Sequence, residues 1–247
     1  MSIPLLLGGV FDTKTNFILA AAGVCAIMAI TLILLGRNMD HATDEQRKRA
    51  GFWTALVAGV GVWATHFVAM LGYRPDAALT YDLETTLLSI LAGFVFVGLP
   101  LGAALQTRAQ KHLAALGAIA GAGVAVMHLT GMSAIENCVT AYNAPILIAA
   151  VFLGMAGFAF ALRQTEATMQ SYALRGAGIV AGVCVLHFTA MSSATLQRTV
   201  AGGSGLSNEA LSIMISITSI AVFAITVNMT FQQRRILAQR GSDSAAA

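Results

Sequence analysis

Three stretches of the chain, Gly61-Val-Trp-Ala-Thr-His66-Phe-Val-Ala-Met70, Gly123-Val-Ala-Val-Met-His128-Leu-Thr-Gly-Met132 and Gly182-Val-Cys-Val-Leu-His187-Phe-Thr-Ala-Met191, align without a gap. They share the pattern G-V-x-x-x-H-[FL]-[VT]-[AG]-M, and their histidines stand 62 and 59 residues apart. Each stretch closes an apolar run long enough to cross a hydrocarbon core as a helix, which takes about 20 residues. A spacing of about 60 residues is the length of two such helices with their links. The repeating unit is therefore an odd-numbered helix, a short link and a motif-bearing even-numbered helix.

Working outward from the motifs, apolar runs predict helices at 16–36, 52–73, 84–105, 113–135, 144–163, 174–195 and 211–231. The fold class is an all-α membrane protein: seven transmembrane helices built from three parallel two-helix repeats plus a seventh helix. Two crossings restore direction, so the three motifs arrive at one depth, in the last turns of helices 2, 4 and 6. Residues 1–15 read as an external lead-in whose run 3–11 is too short to span, 16–231 as the membrane domain and 232–247 as a cytoplasmic tail whose last residues, 241–247, read as flexible. Glycines on the motif helices, such as Gly59, Gly121 and Gly178, lead to the expectation that helices 2, 4 and 6 pack closely on one another.

With 57% hydrophobic and 10% charged residues, water is not the main solvent of this chain. Soluble domains carry roughly 25% charged residues. Eleven basic residues (Arg37, Arg47, Lys48, Arg49, Arg108, Lys111, Arg163, Arg175, Arg234, Arg235, Arg240) fall at one face, and three (Lys14, Arg74, Arg198) at the other. Basic loops stay cytoplasmic, which puts the N-terminus outside and the C-terminus in the cytoplasm. The net charge of +3 is thus a topology signal spread over several loops, and nucleic acid is excluded as a partner. Cys25, Cys138 and Cys184 show no C-x-x-C spacing or disulfide framework. Cys184, one turn before His187, is open to a soft ligand role.

A histidine inside a membrane helix is costly unless it meets a partner, which makes His66, His128 and His187 functional candidates. The remaining two histidines, His41 and His112, fall in links. Each intramembrane histidine has methionine four residues on: Met70, Met132 and Met191. Positions i and i+4 share a helix face about 6 Å apart, so every repeat presents an imidazole with a thioether. Imidazole suits copper, zinc, iron or nickel, whereas a thioether favours copper, Cu(I) above all. The candidate metal ligands are accordingly His66, Met70, His128, Met132, His187 and Met191, with copper as the cofactor. Met127 offers a further soft donor, and Trp63, three residues before His66, is placed either to cover the site or to anchor at the membrane interface. No carboxylate lies in the motifs; Asp82, Glu84 and Glu136 fall at the outer boundary and read as solvated surface.

At these residues the chain resembles the MHYT family of bacterial membrane sensor domains, named for a Met-His-Tyr-Thr string. The strings here read Thr-His-Phe-Val at 65–68, Met-His-Leu-Thr at 127–130 and Leu-His-Phe-Thr at 186–189, so Phe or Leu stands in place of Tyr. The resemblance covers residues 16–231. It implies a location in the bacterial inner membrane and a copper-linked, non-enzymatic signal-input domain sensing oxygen, carbon monoxide, nitric oxide or redox state. It also implies an output partner in the cytoplasm or a C-terminal output domain missing from this chain. A copper or haem oxidoreductase and a copper-handling or transport protein stand as alternatives; a haem needs two axial ligands rather than three clusters.

Overall fold

In hydrocarbon a backbone must satisfy its own polar groups, which makes the apolar runs helical. The computed structural model describes residues 10–37, 42–73, 79–198 and 205–246, with the side chains of Arg198 and of 232–246 left out. Its seven membrane-length helices are α1 (Thr15–Gly36), α2 (Asp44–Gly72), α3 (Leu83–Ala104), α4 (Gln110–Ser133), α5 (Ala144–Arg163), α6 (Met169–Ser193) and α7 (Asn208–Ala246). His41, Arg74 and most of the 3–11 run lie outside the described residues.

The even helices begin earlier than their apolar runs do. In α2 a polar first turn is held by a capping box, with Thr43 accepting from the Gln46 backbone and the Gln46 side chain accepting from the Thr43 N–H. Thr168 likewise accepts from the Ser171 N–H at the head of α6. Hydropathy marks the part of a helix that lies in lipid, whereas capping sets where the helix starts. Helix α7, expected over 211–231, continues as helix through Ala246, including most of the 241–247 stretch expected to be flexible. Its Gln, Arg, Leu and Ala residues are good helix formers, so the loss of apolar character does not end the helix.

Neighbouring helices pack in sequence from α1 to α6, and α6 returns to α1 to close a ring, while α7 lies outside against α2 and α1. Burial separates the roles: 83% of the α2 span is buried inside the protein, against 22% for α7. The small residues do not chiefly join α2, α4 and α6 to one another, as expected from sequence, but seat the odd helices against them. A Cβ at the equivalent glycines Gly61, Gly123 and Gly182 would run into Met28 of α1, Phe96 of α3 and Phe158 of α5. Gly59 of α2 brings the Phe94 backbone close, within a π-helical turn of α3 at Gly93–Gly98. Close backbone approach supplies the dispersion contacts that hold membrane helices together.

All three motifs end at the same face, where the loops form a cover. Strand β1 (Cys138–Tyr142), following α4, pairs antiparallel with β2 (Ala194–Arg198), following α6. Tyr81 bridges to Ile135 and Leu206, and the Lys14 N–H donates to Gly72 O. Links at the opposite face are short, with 105–109 joining α3 to α4 and 164–168 joining α5 to α6.

Candidate metal centre

His66, His128 and His187 lie six, five and six residues before the ends of α2, α4 and α6. The equal depth expected from the repeats is therefore present, and the three rings meet. His66 Nδ1 lies 3.1 Å from His128 Nδ1 and 3.2 Å from His187 Nδ1. Ring centroids are 4.9 to 5.2 Å apart, and the planes stand nearly perpendicular. All three side chains are buried, and among the described residues no Cys, Asp or Glu joins the group.

Two imidazole lone pairs cannot face each other at 3.1 Å without a proton or a cation between them. A shared proton serves only one of the two contacts well, because His66 Nδ1 has a single N–H or a single lone pair to offer. A metal satisfies all three nitrogens at once. Three histidine nitrogens at about 2.0–2.1 Å from one first-row ion stand about 3.3–3.6 Å apart for tetrahedral to trigonal angles. The two close nitrogen pairs are within a few tenths of an ångström of that, so the residues fit a three-histidine metal site. Either arrangement leaves ring nitrogens over: His66 Nε2 and His128 Nε2 are buried with no partner among the described residues. Metal-bound histidines usually donate this second nitrogen to a carbonyl or carboxylate. Here His66 Nε2 faces Gly131, where an added Cβ would come within 2.7 Å of it.

Met70, Met132 and Met191 are buried one turn beyond their histidines on the same helices. Met127 is directed elsewhere, its Cγ packing at Gly93 of α3. Cys184 lies beside Cys25 of α1 and is not part of the histidine group. Trp63 is fully buried and donates from Nε1 to Ser89 Oγ at 3.1 Å. Its ring lies 5.3 Å from Phe67, which sits edge-on to His66 at 4.7 Å, so Trp63 covers the centre through Phe67 rather than anchoring at the lipid interface.

Two neighbours escape a reading of the sequence. Gly131 looks like one more small residue, yet it makes the space that His66 occupies. Tyr81 comes from the α2–α3 loop, is fully buried, and packs edge-on against Phe67 at 5.7 Å, its hydroxyl without a partner among the described residues. Burial pushes its phenol above the ordinary tyrosine value. A phenol thus stands two rings from His66 although none occurs in the motifs. Of the boundary acids, Asp82 caps α3 by accepting from the Thr85 N–H, and Glu136 accepts from the Gly205 N–H at 2.8 Å.

The MHYT family model, described as a bacterial signalling protein N-terminal repeat, matches residues 59–117 and 121–177. This chain belongs to the MHYT family. The matched units start within the motif helices and run into the next pair, which is the same tandem repeat in another phase. His187 lies beyond both matched segments, and its place in the centre comes from geometry. An uncharacterized signaling protein of Caulobacter vibrioides is 34% identical over 73% of this chain and 23% of its own length. The bifunctional diguanylate cyclase/cyclic di-GMP phosphodiesterase MucR of Pseudomonas aeruginosa is 30% identical over 75% of this chain and 29% of its own. The cyclic di-GMP phosphodiesterase NbdA of that organism is 33% identical over 58% and 20%. The chain thus spans less than a third of the length of these MHYT relatives. No solved structure matches it significantly. Family and helices together make it a multi-pass inner-membrane protein with a signalling-type MHYT region.

Proposed function

We propose that this MHYT domain is a copper-binding signal-input module, with copper held by His66, His128 and His187 and with thioethers from Met70, Met132 and Met191 supporting it. The observation that carries the reading is the meeting of three buried Nδ1 atoms from three repeats. Copper would supply a redox couple there and, as Cu(I), affinity for a diatomic gas such as oxygen, carbon monoxide or nitric oxide. The protein's part is to fix three donors on rigid helices, to keep bulk water away through Trp63, Phe67 and the loop cover, and to place soft sulfur one turn further out. The domain itself turns over no substrate.

The signal passes to a cytoplasmic output protein or domain, as the cyclic di-GMP enzymes among the relatives suggest, with the N-terminus outside and the C-terminus inside. A rearrangement of the three rings acts directly on α2, α4 and α6. The π turn of α3 lies against Gly59 of α2 and Gly123 of α4, and π turns often mark functional sites. It is the element that such a movement would strain first.

The test is metal content, X-ray absorption and vibrational spectra of the purified chain with and without each gas. The expected result is copper in nitrogen and sulfur ligation, a spectral response to at least one gas, and loss of copper in His128→Ala. Copper-loaded protein that answers none of the three gases refutes gas sensing and favours copper handling. An intense Soret band would instead point to haem.

A further inference from the structure

At the basic face, opposite the histidines, the helix ring holds a half-open cavity of about 370 Å³. Its walls are apolar, with Leu32, Leu101, Leu113 and Ile179 supplied by α1, α3, α4 and α6. Three arginines line it from different elements: Arg47 from the head of α2, Arg108 from the α3–α4 link and Arg175 from the head of α6. Among the described residues no carboxylate lines the cavity.

Arg175 and Thr54 give the space its chemistry. In the motif alignment both stand 12 residues before a repeat histidine, which places them about 18 Å from the metal centre along the helix. Arg175 uses two of its five N–H groups, from Nε and Nη2, on Gln164 O and so ties the end of α5 to α6. Three donors remain. Thr54 is 4% exposed, its hydroxyl has no partner among the described residues, and it faces the cavity. A buried hydroxyl left unpaired is costly, and native structures seldom keep one without a ligand or water to serve it.

We propose that this cavity is an anion-binding site for a phosphate-bearing ligand, whose oxyanion pairs with Arg108, Arg175 and Arg47 and accepts from Thr54. Guanidinium groups match phosphate oxygens in pairs, giving short, charge-assisted bonds. The ligand's remaining, less polar part rests on the leucines. Two sources offer the same chemistry: the headgroup of an anionic phospholipid and a soluble phosphate compound. The site is independent of the metal reading, although α2 and α6 carry residues of both.

The experiment is isothermal titration of the full chain in neutral detergent with inorganic phosphate, dihexanoyl phosphatidylglycerol and, as the uncharged-headgroup control, dihexanoyl phosphatidylcholine. Saturable binding of phosphate or phosphatidylglycerol, weakened about tenfold or more by Arg108→Gln and clearly weakened by Thr54→Val, is expected. Preference for phosphatidylglycerol identifies a lipid headgroup, and equal or better binding of phosphate identifies a soluble ligand. Arg108→Gln and Thr54→Val leave the Arg175 tie to α5 in place, and their helicity by circular dichroism should equal that of the parent. Absence of saturable binding of both anionic probes, or binding that neither substitution changes, would overturn the proposal.

Discussion

The sharpest check on the centre is Gly131→Ala, a change of one methyl group on a helix that carries a different histidine from the one it affects. An added Cβ would lie 2.7 Å from His66 Nε2 and 3.0 Å from Cδ2. Ordinary contact starts at 3.4 Å, so the His66 ring must yield by roughly half an ångström or more. Metal–ligand distances tolerate only about 0.2 Å. Displacement of His66 Nδ1, the atom shared by both close nitrogen contacts, therefore disrupts the whole ligand set. Metal affinity should fall about 10–100-fold, the range seen when groups that orient ligands are altered. Helix propensity works the other way, since Ala stabilises a helix interior by up to about 1 kcal/mol over Gly. The variant should thus keep its helicity and lose metal, whereas the reverse change at the equivalent position, Ala190→Gly, should keep metal. Competition titration with a Cu(I) chelator, paired with circular dichroism, reads both effects. Unchanged affinity in Gly131→Ala would show that His66 is not held where the geometry puts it, or is not a ligand.

Further outcomes follow from the surroundings of the centre. Met→Leu at Met70, Met132 and Met191 conserves volume and should preserve folding while lowering the reduction potential of bound copper, because the lost thioethers favour Cu(I); potentiometry on each variant checks it. Tyr81→Phe removes a buried hydroxyl that has no partner among the described residues and should leave thermal stability unchanged or raised; a clear loss would reveal a partner for that phenol. Asp82, hydrogen-bonded by the Thr85 side chain and backbone, has its carboxyl held below the ordinary 3.8. Its contribution to stability is complete above that ordinary value and disappears as pH falls through the lowered one. Thermal unfolding between pH 5 and pH 2 should therefore show an acid-side loss that is smaller in Asp82→Ala.

Much of the fold could be read locally. Seven apolar runs, their ends within a few residues in lipid, and the shared depth of three motifs all follow from rise per residue and hydrocarbon thickness. The polar first turn of α2 was hidden because a capping box of Thr43 and Gln46 leaves no mark in hydropathy. The helical continuation of α7 was missed for the related reason that polarity does not end a helix.

The candidate histidines were legible because burying imidazole in lipid is costly and their recurrence with methionine is a one-dimensional pattern. Their meeting was not. Whether three helices at one depth turn their histidines inward depends on rotations set by distant contacts, such as Met28 against Gly61 and Phe158 against Gly182. Likewise only the tertiary structure brings Tyr81 in from a loop, sets Cys184 beside Cys25, assigns Gly131 to His66, and gathers Arg47, Arg108 and Arg175 around one cavity. Sequence by itself determines which groups each helix carries and how deep they lie, because both are properties of one segment in its solvent. Which groups face one another is decided by packing between segments far apart in the chain, where a single methyl group can change the outcome.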